Sequence, residues 1–189
     1  LVRGKQEYHH SQVGVLHYQK TVEIAARYQV MLNIHEPIKG TGIERTFPNI
    51  LTREGAKGQE YEGGKIHLNH ATILPFTRML AGAFDYTPGI FDLLNPAKRV
   101  YTTLARQLAY YVVFYSGMQM LADRPEQYEK NLAVFEFLRT VPVDWRITIP
   151  LLGKIGEYFV VARQDRVSSD WYIGGVTNEE ARRVNLNLE

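Results

Sequence analysis

The sequence predicts an α/β chain, the later half of a (β/α)8 barrel followed by an antiparallel β-sheet domain. Two observations carry this. An amphipathic pattern from Ser11 to Tyr28 leads directly into "VMLNIH" at 30–35, an apolar run of strand length that ends in a polar loop. After Pro142 the pattern changes to short β-branched and aromatic runs, "WRITIPLLG", "GEYFVVARQD", "DWYIGGV" and "RRVNLNLE", separated by Gly, Asp, Ser and Asn.

The elements follow in order. Val15, Leu16, Val22, Ile24 and Ala25 recur near helical spacing, and Ser11 stands where a helix N-cap belongs. His9 and His10 precede them and, in a strand, would point to opposite sides, so that at most one faces a site. Residues 33–64 are broken repeatedly by glycine, proline and threonine and read as a loop. A helix is expected over 71–80, a turn at "YTPG", a long apolar helix over 101–121 and another helix over 125–139. The aromatic run "YYVVFYSGMQM" in the long helix reads as core rather than as a cofactor slot. The expected division is 1–142 for the barrel part and 143–189 for the start of a β-sandwich-like domain. A closed barrel needs roughly 250 residues. The βα units here are too few, so the rest of the barrel is expected upstream, and both ends look cut.

Composition narrows the function. The chain has 189 residues, 45% of them hydrophobic and 22% charged, the balance of a globular chain with a sizeable core. Its 22 Lys plus Arg against 20 Asp plus Glu leave a net charge of +2, too small a field to favour nucleic acid or an acidic membrane surface. No apolar run approaches membrane-spanning length. With no cysteine there is neither a thiolate metal site nor a cysteine nucleophile.

The chemistry concentrates in "NIHEPIKGTGIERTFPNILTREGAKGQEYEGG", which holds Glu36, Glu44, Glu54, Glu60 and Glu62. His35 and Glu36 fall at the end of the buried strand, where barrel enzymes place catalytic groups. Gly55 and Gly58 let the chain turn sharply between Glu54 and Glu60, so that both carboxylates can converge with Glu36. Three convergent carboxylates repel one another unless a cation lies among them, and an all-oxygen set suits a hard ion such as Ca²⁺. The same groups offer the protonated and ionised carboxyls that glycoside hydrolysis uses. A solvated acidic loop accounts equally well for the spacing alone. Arg45, Arg53 and Arg78 are candidates to pair with the glutamates, and Asp85 in "FDYTPG" reads as structural.

"EYHH", "HYQKTVEIAARYQVMLNIHEPIKGTGIERTFPNILTREGAKGQEYEGG" and "HATILPFTRMLAGAFDYTPGIF" resemble the catalytic region of glycoside hydrolase family 97, calcium-dependent α-glucosidases and α-galactosidases of bacterial glycan-use systems. The resemblance covers roughly residues 4–121 closely. It implies an N-terminal β-sandwich, a central (β/α)8 barrel and a C-terminal β-domain, of which this chain is the later part. It also implies an α-linked oligosaccharide substrate, a periplasmic or otherwise exported location, and a missing N-terminal portion that supplies a further calcium-binding glutamate.

Position by position, the resemblance makes Glu60 the general acid, a role that burial of its carboxyl would favour. It makes Glu36 a calcium ligand that also helps activate the attacking water, Glu54 a second calcium ligand, and His35 a contact to the sugar. "RGKQEYHHSQ" resembles the inverting α-glucosidase branch, and no aspartate precedes Asp85. The alternatives are a retaining α-galactosidase of the same family and a noncatalytic calcium-dependent carbohydrate-binding product. The isolated 189 residues are expected to be inactive.

Overall fold

Ser11 starts the first helix: its Oγ accepts the Gly14 N–H at 3.3 Å, and α1 runs Gln12–Arg27 with Val22 fully buried on its inner face. The computed structural model describes residues 8–61, 66–94 and 100–187, and every structural statement concerns these. His9 and His10 lie in a turn before α1 rather than in a strand, their rings edge-on at 5.0 Å. The Ser11 N–H closes that turn on the Tyr8 carbonyl. Residues 1–7 and Glu62 lie outside the described residues.

After α1 the chain enters β1 (Leu32–Ile34), which pairs in parallel with β2 (Ile50–Arg53), Leu32 opposite Ile50 and Ile34 opposite Arg53. The second strand lies within the stretch read as loop. "ILTR" is only four residues long, too short to establish a period, and three of its residues are buried by tertiary packing rather than marked by pattern. A parallel pair brings both C-terminal ends to the same edge. His35 and Glu36 therefore emerge beside Glu54.

The helix expected over 71–80 is divided. α2 (Leu68–Ile73) passes into 3₁₀ turns at Leu74–Phe76 and Arg78–Ala81, with Pro75 at the first break and Thr77 at φ −131°, ψ −83° between the turns. The long apolar helix is also shorter than expected: α3 covers Leu104–Val113, capped by Thr103 Oγ1, and Phe114 is already extended. The β-branched and aromatic residues there are poor helix formers. Beyond them Ser116 Oγ donates to Met118 O at 2.7 Å or Thr52 Oγ1 at 2.8 Å, holding the chain in a turn against β2. Residues 125–139 form two helices, α4 (Pro125–Glu129) and α5 (Leu132–Thr140), separated at Asn131, whose φ of −130° is not helical.

The C-terminal part matches the expected sheet. β3 (Trp145–Lys154), β4 (Tyr158–Asp165) and β5 (Trp171–Thr177) form an antiparallel sheet in that order. The run at 182–187 forms no strand among the described residues. One face of the sheet packs on α3, where a Cβ on Gly174 would come within 2.7 Å of Val112 Cβ, so glycine permits the approach. Phe84, Tyr86, Tyr110, Phe114, Trp145 and Val161 fill the space between. Tyr110 and Phe114 stack at 5.4 Å, and the aromatic run thus belongs to the core. Full burial of each such side chain is worth about 1.5–3 kcal/mol. No described helix is long and apolar enough to cross a membrane.

Candidate active site

Two strand ends build the site. The Glu54 N–H continues the pairing by donating to Ile34 O at 2.9 Å, which sets Glu54 beside His35 and Glu36. Glu36 has φ +48°, an uncommon conformation for a side-chain-bearing residue, and this turn aims its N–H at Glu54 Oε2 at 3.3 Å. Glu54 is only 5% exposed.

The loop after β2 then returns Glu60. Gly58 lies against the 84–88 segment: an added Cβ would meet Tyr86 O at 2.8 Å. The next N–H, of Gln59, donates to that same oxygen at 2.8 Å. With the loop so fastened, Glu60 Oε2 stands 3.1 Å from His35 Nδ1. His35 Nδ1 or Nε2 and one carboxylate oxygen each from Glu54 and Glu60 fall within 4.8 Å of one another. The expected convergence thus holds for Glu54 and Glu60, with His35 joining them. The Glu36 carboxylate lies outside this group and its backbone reaches Glu54 instead. Glu36 and His35 also face a cleft of about 490 Å³ shared with Tyr8, His17 and Tyr18. Glu60, for which burial was the favoured environment, keeps 54% of its side chain exposed.

The arginines behave differently from expectation. Arg78 donates Nε to Glu54 O at 2.8 Å, Nη2 to Arg53 O and Ala83 O, and Nη1 to Gly82 O. Arg53 Nη2 donates to Ala81 O at 3.0 Å. Both hold backbone carbonyls rather than carboxylates. Burial pulls Arg78 down to about 10, the neighbouring Arg53 charge adding to the effect. A buried carboxylate needs compensation, and oxygen donors from glutamates suit a hard divalent cation, so these residues fit calcium. The imidazole nitrogen is the softer member of the set.

One further residue reaches the site. Asp85, read as structural, is fully buried, and its Oδ2 stands 2.7 Å from His35 Nε2 and 2.6 Å from Asn33 Nδ2, while Oδ1 accepts the Thr87 N–H at 2.8 Å. A charged residue between Phe84 and Tyr86 was the available signal. Burial opposes the charged form of His35, but the hydrogen bond to Asp85 and the charges of Asp85, Glu54 and Glu60 outweigh it and shift the imidazole upward.

Two family profiles match the chain in separate stretches. The profile described as "Glycoside hydrolase 97" matches residues 4–56, and "Glycosyl-hydrolase 97 C-terminal, oligomerisation" matches residues 144–189. A protein of Bacteroides thetaiotaomicron named "Retaining alpha-galactosidase" is 35% identical over 182 residues, covering 89% of this chain and 27% of that protein. A "Probable retaining alpha-galactosidase" of Streptomyces bingchenggensis is 34% identical, over 90% of this chain and 26% of its own length. The chain thus spans about a quarter of these curated relatives. Among solved structures, a family 97 enzyme of Pseudoalteromonas sp. strain K8 in complex with acarbose superposes with a TM-score of 0.86 at 45% identity, over 94% of this chain and 29% of that one. A variant of that enzyme in complex with panose gives 0.86 at 44% identity with the same coverage.

Proposed function

Since the chain belongs to glycoside hydrolase family 97, we propose that it carries part of the active site of a calcium-dependent α-glucosidase that inverts configuration. The observation that carries this is the meeting of Glu54, Glu60 and His35 where two parallel strands end. On this reading β1, β2 and the helices through residue 142 are part of a (β/α)8 barrel, and 143–189 begin the C-terminal β-domain.

Glu60 is the general acid. It protonates the departing glycosidic oxygen from the loop edge, where its exposed side chain can reach a bound sugar. Glu36 polarises the attacking water on the opposite side of the sugar, and His35 contacts the sugar through its ring. Glu36 and Glu54 would hold calcium, the Glu36 carboxylate joining from outside the group formed by Glu54, Glu60 and His35, and the ion would supply positive charge that offsets the repulsion of the carboxylates. The remaining base and a further calcium ligand come from the rest of the protein. On this reading the enzyme is periplasmic or otherwise exported, in keeping with a role in bacterial glycan use.

Support for the glucoside comes from the higher identity to an enzyme bound to panose, a trisaccharide of α-linked glucose, and to acarbose. The names of the curated relatives favour a second reading, a retaining α-galactosidase. Assay of the full-length protein on nitrophenyl α-glucoside and α-galactoside, with and without chelator, separates them. Glucoside hydrolysis that chelator stops and calcium restores is expected. Galactoside hydrolysis alone, or turnover indifferent to chelator, contradicts the proposal.

The C-terminal sheet exposes Ile147, Ile149 and Leu152 on β3 and Trp171 and Ile173 on β5. The matched oligomerisation profile covers all of them. A second copy of this chain is the occupant that this apolar face suits.

A further inference from the structure

Asp85 has no place in the chemistry above, yet it is fully buried 2.7 Å from a ring nitrogen of the site. Its surroundings are directional. Oδ1 is committed to the Thr87 N–H, whereas Oδ2 receives both Asn33 Nδ2 and His35 Nε2. The Asp85 N–H is itself fixed on Arg53 O at 3.1 Å, the last residue of β2, so the carboxylate is held by the same strand end that presents Glu54.

An ionised carboxylate only accepts hydrogen bonds. His35 must therefore carry its hydrogen on Nε2. The other ring nitrogen, Nδ1, then faces Glu60 Oε2 at 3.1 Å. We propose that Asp85 is a positioning residue that fixes the orientation of the His35 ring, with Nε2–H toward Asp85 and Nδ1 toward Glu60. The inference rests on the reading of His35 and Glu60 as residues of the active site. Carboxylates orient histidines in this way at many sites, and their loss typically costs 10- to 100-fold in function.

Asp85→Asn is a specific test. The new amide retains its oxygen on the Thr87 N–H, which turns its NH₂ toward His35. Nε2 then has to accept, and the hydrogen moves to Nδ1. Asn33 Oδ1, buried and without a hydrogen-bond partner, is available to satisfy the amide's other hydrogen once the Asn33 side chain flips. The change thus alters the ring while leaving the backbone contacts in place.

In full-length protein labelled with ¹⁵N-histidine and studied where the ring is neutral, the expected His35 pattern is Nε2–H in the wild type and Nδ1–H in Asp85→Asn. The kcat/KM falls about 10- to 100-fold with the melting temperature held. In a His35→Ala background the same substitution adds no further loss. An unchanged ring pattern in Asp85→Asn, or a full additional loss without His35, overturns the proposal. Should the variant not fold, the wild-type spectrum still decides, because Nδ1–H on the neutral ring contradicts the assignment. Absence of any glycoside hydrolysis refutes the functional reading, while the ¹⁵N pattern still tests Asp85 independently.

Discussion

Arg163 fastens the end of α3 to the sheet: its Nε donates to Val112 O at 2.6 Å, Nη2 reaches Val113 O at 3.2 Å, and Nη1 reaches Thr148 Oγ1 at 2.8 Å. The last helical carbonyls lack partners within their own helix, so a planar cation at that end satisfies them. Burial is unfavourable to the charge and pulls Arg163 down to about 10. The hydrogen bonds offset part of that cost. Arg163→Met is expected to lower unfolding stability by about 1–3 kcal/mol, the cost of leaving buried acceptors unpaired. Arg163→Lys is expected to lower it too, since one ammonium does not span three separated acceptors. Urea unfolding of each variant is the measurement, and wild-type midpoints would contradict this account of α3.

Gly58 sets the position of Glu60. A methyl group there meets a backbone carbonyl at 2.8 Å, and the loop has to move to admit it. Gly58→Ala is therefore expected to lower kcat/KM by roughly 100-fold, the scale of a 1 Å displacement at a reacting centre. A melting temperature near that of the wild type would identify the loss as one of positioning. Wild-type kinetics would show that the contact with Tyr86 does not hold Glu60.

Glu60→Gln keeps the shape of the side chain and removes its transferable proton. The expected fall in kcat is about 10²- to 10⁴-fold on oligosaccharides. On nitrophenyl glycosides, whose leaving group needs little protonation, the fall is expected to be much smaller. Equal losses on both substrates would argue against the acid role.

Lys154 Nζ lies 2.5 Å from Glu157 Oε1 at the β3–β4 turn, and Arg182 Nη2 lies 3.2 Å from Oε2. The hydrogen bond from Lys154 is the main cause that holds the Glu157 carboxyl below its usual range, with the charges of Lys154 and Arg182 adding to it. A carboxyl with a depressed folded pKa adds stability above its unfolded pKa and loses it as pH falls through the folded value. Melting temperature is thus expected to decline through the acidic range. Lys154→Ala is expected to move the Glu157 side-chain ¹³C titration upward, and an unmoved titration would contradict the pairing. High salt is expected to weaken the effect, as befits exposed charges.

The parts that sequence made legible are those with a long period or a definite punctuation. Ser11 marks the start of α1, and three of the four short β-branched and aromatic runs after Pro142 become β3 to β5. β2 escaped notice because four residues carry no period and its burial comes from what packs on it. The expected helix over 101–121 ends at Val113, since apolar character measures burial and does not distinguish a helix from the extended core chain that follows. At the site, the Gly55–Gly58 spacing pointed to Glu54 and Glu60, which do approach each other, whereas the Glu36 carboxylate expected with them stands apart and His35 takes its place. Asp85 was less visible: its partner His35 lies fifty positions earlier, and only the fold shows that they touch. The side-chain roles given to Arg53 and Arg78 failed for the same reason, because a guanidinium's choice between a carboxylate and a carbonyl depends on which backbone ends face it.

In the proposed mechanism Glu60 acts as an acid while water attacks from the other side of the sugar, with calcium holding the carboxylates. The most direct test is proton NMR of the first sugar released from a nitrophenyl α-glucoside by the full-length protein, with calcium present and after its removal. Release of β-glucose first, and only when calcium is present, is the predicted result. α-Glucose as the first product, or release that persists without calcium, would contradict it.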